Sequence, residues 1–260
     1  VILAMNLHFN TKLATNYKNN SQKIRVLTEN WVDNQIFCPN CGNKSIDNYE
    51  CNKPVADFYC SNCKEDYELK SKKDYVGNKI VDGAYRTMIE RLNSNNNPNF
   101  FFLSYDSRKY EVINFLVIPK HFFVPKIIEK RKPLSPTAKR PNWVGCNIIL
   151  KDIPEAGRIY YVKNGVDTPK QKVITNWQKT EFLRKEDNFA AKGWLLDTMR
   201  IIDKLGKLEF NLDEIYSFEK DLSEQYPHNQ HIKDKLRQQL QILRDKGFLK
   251  FVSRGHYKLA

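Results

Sequence analysis

Apolar positions along the chain switch between a helical and a strand-like period. From Ser21 to Trp31, the residues Ile24, Leu27 and Trp31 share one helical face, and Ser21 is placed to cap that helix. Pro54–Cys60 and Tyr67–Ser71 read as a strand and its return. Ile80–Leu92 carries Ala84, Met88 and Leu92 at helical spacing and is predicted as a helix. Phe100–Tyr105 and Glu111–Ile118 are strong strand candidates. A long Pro-bearing loop is expected over Lys126–Asn142, then short strands at Cys146–Leu150 and Arg158–Val162 and a helix over Lys170–Phe182. Past a boundary near Lys185–Ala191 the pattern becomes compact and helical: Trp194–Leu205, Leu212–Tyr226 and His231–Lys246 are amphipathic. Two short strands, Phe248–Val252 and His256–Leu259, follow around Ser253-Arg-Gly. Three helices and a terminal hairpin outline a winged helix-turn-helix. The reading is an α/β domain over residues 1–187 and a small, mostly helical winged helix over 188–260.

Charge narrows the partner class. Lys and Arg number 43 against 30 Asp and Glu, a net charge of +13 over 260 residues. Such an excess favours a polyanion, with nucleic acid first because phosphate contacts dominate affinity of this kind. Six basic residues (Lys126, Lys130, Arg131, Lys132, Lys139 and Arg140) fall in the Pro-bearing loop against the single Glu129. No apolar run has the length of a membrane span, and no lipidation signal or basic amphipathic anchor is evident. Val1–Ala4 lack the basic start of a secretory signal, and Met5 is read as the native start. A reducing cytoplasm is the expected location.

Four of the six cysteines form two pairs, Cys38-x2-Cys41 and Cys60-x2-Cys63, with eighteen residues between them. Two such turns aim four thiolates at one ion, the closed arrangement of a structural Zn²⁺ with no position left for substrate. Cys51 and Cys146 are spare and read as small buried hydrophobes.

The zinc turn separates Asp57 from Glu68-x-Lys70. Residues two apart on a strand share a face, so Glu68 and Lys70 converge, and the turn brings Asp57 alongside. Two carboxylates and an ammonium are what phosphodiester hydrolysis requires. Mg²⁺ prefers carboxylate oxygens and neutralises phosphate charge, held here by Asp57, Glu68 and the Leu69 carbonyl. Lys70 would orient the attacking water and offset developing charge. Partial desolvation makes it a candidate for a lowered pKa. Alone, the D…ExK pattern is weak, and a solvated strand edge with a surface ion pair is its plain alternative.

Several segments closely resemble the DpnI restriction endonucleases: Cys-Pro-Asn-Cys-Gly at 38–42, Pro-Val-Ala-Asp-Phe-Tyr-Cys at 54–60 and Tyr-Glu-Leu-Lys-Ser-Lys-Lys at 67–73. Asp-Gly-Ala-Tyr at 82–85, Asn-Pro-Asn-Phe-Phe-Phe-Leu at 97–103, Gly-Cys-Asn-Ile at 145–148 and Arg-Gln-Gln-Leu-Gln-Ile-Leu-Arg-Asp-Lys at 237–246 extend the likeness into both domains. The resemblance implies a mixed-sheet PD-(D/E)xK core followed by a winged helix. It implies methyl-directed cleavage of double-stranded GATC bearing N6-methyladenine, with Asp57, Glu68 and Lys70 as the metal-binding and catalytic set. Cys51 has no counterpart in the family pattern.

An N6-methyl group projects into the major groove and calls for an apolar or aromatic reader, for which Trp143 is the candidate. In the winged helix, Asn229, His231, Lys233, Lys235 and Gln238 are candidates for base or phosphate contact, with Arg254, His256 and Lys258 at the wing. Ile232, Leu236, Leu240 and Leu243 are read as core. The expected partner is adenine-methylated duplex DNA, bound by a monomer without an obligate protein partner. The rival reading is a zinc-containing winged-helix regulator that binds DNA without cutting it.

Overall fold

The computed structural model describes residues 5–50, 56–75, 77–94 and 96–260; Cys51, Pro54, Val55 and the residues before Met5 lie outside them. The chain divides into two compact units. One runs to Lys151 and takes in Ala156–Gln178; the other is Asp152–Glu155 with Lys179–Ala260.

In chain order, the first unit holds α1 (Asn20–Gln35), β1 (Asp47–Asn48), β2 (Phe58–Tyr59), β3 (Asp66–Lys73), β4 (Lys79–Ala84), α2 (Tyr85–Asn93), β5 (Asn99–Asp106) and β6 (Glu111–Ile118). It continues with β7 (Ile128–Lys130), β8 (Gly145–Ile149), β9 (Ile159–Lys163), β10 (Val166–Asp167) and α3 (Lys170–Gln178). The second unit holds α4 (Phe189–Leu205), β11 (Glu209–Asn211), α5 (Leu212–Tyr216), α6 (Glu219–Gln225), α7 (Ile232–Asp245), β12 (Leu249–Ser253) and β13 (His256–Leu259).

A seven-stranded sheet in the order β1-β2-β3-β5-β6-β9-β10 organises the first unit. It is mixed: β3 and β5 run parallel and the other neighbours antiparallel. The central strand β5 is buried along nearly its whole length, which is why it reads as a continuous apolar run. Leu27 and Trp31 of α1 and Val173 and Trp177 of α3 are buried in the same core as Phe101, Phe115 and Tyr161. Trp31 meets Phe115 edge-on at 5.2 Å, and Tyr67 stacks on Phe101 at 4.6 Å. Each such side chain contributes about 1.5–3 kcal/mol of burial, so the strand carrying Glu68 and Lys70 is held between its neighbours by aromatic packing.

Several expected boundaries move. The cap of α1 is Asn19, whose side chain accepts from the Ser21 N–H, and the helix runs on to Gln35. Ile80–Ala84 is strand, not helix: it pairs with β8, with Asp82 opposite Cys146, and the helix starts only at Tyr85. The helical stripe misleads there because two β-branched residues and Gly83 cost helix stability while the β8 backbone offers partners. Ile128–Lys130, expected as loop, forms β7 against β8. The helix expected to Phe182 ends at Gln178, and Glu181–Lys185 is a separate 3-10 turn.

The second unit has the predicted helices and wing. Leu212–Tyr226 divides into two helices: an Asn211–Glu214 capping box starts α5, and Glu219 and Asp221 fill the first turn of α6, where the helix dipole favours them. The terminal hairpin gains β11 as a third strand, in the order β11-β13-β12. Ile232, Leu236, Leu240 and Leu243 of α7 are buried. Asp197 on α4 is also buried and accepts hydrogen bonds from Gln225 Nε2 and, at 2.5 Å, from the Tyr226 hydroxyl. Arg200 lies 3.1 Å from Asp197 and 2.6 Å from Asp152, which ties the 152–155 segment into this unit. No helix among the described residues is long and apolar enough to cross a membrane.

Candidate active site

Two matching turns present the cysteines. The Cys38 carbonyl accepts from the Gly42 N–H at 2.9 Å and the Cys60 carbonyl from the Lys64 N–H at 2.8 Å. The residue after each second cysteine is left-handed: Gly42 at φ +75° and, without a glycine's freedom, Lys64 at φ +62°. All four sulfurs lie within 4.8 Å of one another, with Cys38–Cys63 at 3.5 Å and Cys41–Cys60 at 3.6 Å. A tetrahedral Zn²⁺ with four thiolates needs sulfurs about 3.8 Å apart, so the donor set fits that ion. Burial pushes the Cys38 thiol well up. At Cys41 burial acts the same way, but hydrogen bonds from Asn62 and Asn43 win and bring it down to about 7. A buried sulfur cluster of this kind is relieved by a cation that takes all four as thiolates.

The turn that carries Cys60 and Cys63 folds Asp57 back onto β3. The Asp57 N–H donates to the Tyr67 carbonyl at 2.9 Å, and the Leu69 N–H donates to Asp57 Oδ2 at 2.7 Å. Asp57 therefore sits immediately before β2, beside the strand that carries Glu68, Leu69 and Lys70. Burial raises the Asp57 carboxyl above its usual range; the Leu69 hydrogen bond opposes this, while the charges of Glu68 and Glu29 add to it. Glu68 and Lys70 share a face, with Lys70 Nζ 2.5 Å from Glu68 Oε1. A hard divalent cation fits this donor set of two carboxylates and a strand carbonyl, because all are oxygen ligands.

Three neighbours of this cluster were not anticipated. Asp82, at the end of β4, lies 2.5 Å from Lys70 Nζ. Arg91 on α2 lies 2.9 Å from Glu68 Oε2. Glu29 on α1, paired with Arg25 at 2.7 Å, lines with Asp57 an open cleft of about 310 Å³ that also includes Asp33 and Tyr49. With Glu68 and Asp82 both at hand, the Lys70 ammonium moves opposite to the desolvation expectation. Burial lowers it, yet the two carboxylates outweigh burial and raise it. The Asp-Gly-Ala-Tyr segment at 82–85 was the one available signal, but the helix expected over Ile80–Leu92 aimed Asp82 elsewhere.

Cys146 is buried, as expected of a spare cysteine; its Sγ faces the Gly83 carbonyl at 3.5 Å, and burial pushes the thiol up to about 11. Trp143 is half-buried just before β8. The Arg140 guanidinium lies over its ring at 4.4 Å. The indole also folds across Gly145, where an added Cβ would come within 2.8 Å of the ring. Lys126, Lys130, Lys132, Lys139 and Arg140 are exposed and Arg131 is half-buried. Lys130 lies 5.6 Å from the centre of the Tyr85 ring.

In the second unit, Asn229 and His231 precede α7 rather than sit on it: Asn229 Oδ1 accepts from the His231 N–H, and His231 is the cap residue. Lys233 pairs with Glu219 at 3.3 Å, Lys235 donates to Gln238 at 2.8 Å, and Lys258 pairs with Glu209 at 2.8 Å. Arg254 is exposed at the wing turn, and His256 Nδ1 stays near its carbonyl at 3.2 Å.

Comparison with known proteins covers nearly the whole chain. The family model described as DpnI, Dam-replacing family, matches residues 5–186. A second, described as the Dam-replacing HTH domain, matches residues 190–259. The chain belongs to the DpnI, Dam-replacing family of restriction endonucleases and carries that family's helix-turn-helix domain at its C-terminal end.

Proposed function

We propose that this chain hydrolyses double-stranded DNA at GATC sites bearing N6-methyladenine, in a PD-(D/E)xK site built from Asp57, Glu68 and Lys70. One observation carries the reading: the Asp57 carboxylate is hydrogen-bonded to the backbone of the strand that aligns Glu68 and Lys70. When bound, Mg²⁺ would neutralise the scissile phosphate and acidify its waters. Asp57, Glu68 and the Leu69 carbonyl would hold it. The hydrogen bond from the Leu69 N–H to Asp57 Oδ2 would hold the carboxylate in place for the cation. Lys70 orients the attacking water and offsets charge as it builds on the phosphate. Zn²⁺ on Cys38, Cys41, Cys60 and Cys63 would be structural, since four sulfurs close the tetrahedron.

Trp143 is proposed to read the methyl group, with Arg131, Arg140 and the neighbouring lysines gripping phosphates. In the winged helix, Lys233, Lys235, Gln238 and Arg254 take the same roles, helped by Asn229, His231, His256 and Lys258. Burying one methyl group contributes about 0.8 kcal/mol, roughly fourfold. Trp143→Ala is accordingly expected to lower the ratio of methylated to unmethylated cleavage about fourfold per methyl group. Gly145→Ala should reproduce much of that loss by pushing the ring aside. Unchanged discrimination in Trp143→Ala removes that residue from methyl reading.

The function is tested on one plasmid, prepared with and without adenine methylation at GATC and incubated with Mg²⁺ or EDTA. Discrete fragments from the methylated form alone, lost in EDTA, are the expected result. Equal cutting of both forms refutes methyl direction, and binding without cutting of either returns the regulator reading.

A further inference from the structure

Glu68 is surrounded by cations. Lys70 Nζ takes one carboxylate oxygen at 2.5 Å and Arg91 takes the other at 2.9 Å. A divalent cation bound at Glu68 would share that carboxylate with Lys70 and Arg91, and two cations a few ångströms apart repel. A lysine has a flexible four-carbon stem, so a displaced ammonium would swing away from the phosphate unless something else held it.

Asp82 is built to do so. Its Oδ1 lies 2.5 Å from Lys70 Nζ, and its side chain is only 5% exposed against 21% for Lys70, so the pair is largely shielded from water. It belongs to β4, in the three-stranded sheet β4-β8-β7, and not to the strand that carries Glu68. Its position therefore does not depend on which partner Glu68 has. The strand register shifts between Asp82 and Ala84, leaving Gly83 as the extra residue, and bulges of this kind re-aim the adjacent side chain. Below the bulge, Cys146 pairs with Asp82 across the ladder and packs into a buried floor.

We propose that Asp82 is the positioning residue for Lys70, retaining the ammonium at the scissile phosphate once Glu68 is taken by the catalytic cation. This rests on the nuclease reading above and names a part of the site that lies outside the Asp57–Glu68–Lys70 set. Asp82 acts through Lys70, which it contacts directly.

The test is a double-mutant cycle on the full chain, read by single-turnover cleavage of methylated DNA, with DNA affinity measured separately without Mg²⁺. Asp82→Asn is expected to slow cleavage about 10–100-fold, the usual effect of losing a supporting partner, with affinity unchanged. Asp82→Glu should restore most of the rate. In a Lys70→Ala background, Asp82→Asn should cost nothing further, because the group it positions is gone. If Asp82→Asn melts early, the cycle is run with Asp82→Glu, whose smaller loss must likewise vanish beside Lys70→Ala. A wild-type rate in Asp82→Asn overturns the proposal. So does a loss that adds in full to that of Lys70→Ala, which would make Asp82 a cation ligand or a purely structural group. A wild-type chain that cuts no DNA overturns the nuclease reading and this proposal with it, whereas normal wild-type cutting with full activity in Asp82→Asn overturns the proposal alone.

Discussion

Asp57→Asn is expected to fold, to bind DNA and not to cut it. The substitution keeps the side-chain shape and an oxygen able to accept from the Leu69 N–H, so the hydrogen bond that docks this residue on β3 at 2.7 Å survives. What it removes is a negative charge beside Glu68. Cation-borne stabilisation of a phosphoryl transition state is worth several kcal/mol, and each 1.36 kcal/mol is tenfold in rate. Cleavage should therefore fall by about a thousandfold or more. Affinity should hold or improve, since a carboxylate facing phosphate only repels it. The pair of measurements is single-turnover cleavage with Mg²⁺ and gel-shift binding without it. Cutting within tenfold of the wild type excludes Asp57 as a ligand. Loss of binding together with cutting would make its role structural.

The parts of this site that were legible in the sequence are the local ones. Glu68 and Lys70 are two residues apart on one strand, and Asp57 is separated from them only by a turn whose cysteines announce it. Period-2 geometry and one staple suffice to bring these three together. Asp82, Arg91 and Glu29 approach the same cluster from another sheet and from two helices. Their arrival depends on how those elements pack, and no short-range spacing encodes that. The misreading of Ile80–Ala84 has the same origin. Met88 and Leu92 lie on a true helical face and are buried, but Ala84 and the residues before it find their backbone partners in β8, more than sixty positions away. That error hid Asp82, since a helix would have aimed it elsewhere. In the second unit the helices were legible because each buries its own stripe, whereas the break after Tyr216 is set by capping that competes with a continuous helix.

Removing zinc is expected to unfold the first unit rather than merely slow the enzyme. Apparent binding energies of structural Zn²⁺ at neutral pH are about 10–16 kcal/mol, while a whole domain is stable by only about 5–15 kcal/mol. The loss of the ion is therefore comparable to the whole net stability of a domain. The site is placed to have that effect. Cys38 and Cys60 are fully buried in the same core as Trp31, Tyr67 and Phe101, so emptying the cluster leaves thiols and the Tyr67 hydroxyl, 3.2 Å from Cys38 Sγ, facing one another inside it. The cysteine turn also lies between Asp57 and Glu68 in the chain, so its collapse separates the two carboxylates. The protein should contain one zinc per chain, released together with four titratable thiols. Cys60→Ser should lower the melting temperature by tens of degrees or yield insoluble protein, with cleavage lost in parallel. Cys41→Ser, at an exposed ligand, should be milder because a hydroxyl or water at the rim is not buried. A Cys60→Ser protein that melts with the wild type and still cuts would show that the four sulfurs do not hold a structural ion. Equal damage from both substitutions would show instead that the ion, and not the burial of any one sulfur, sets the stability of this unit.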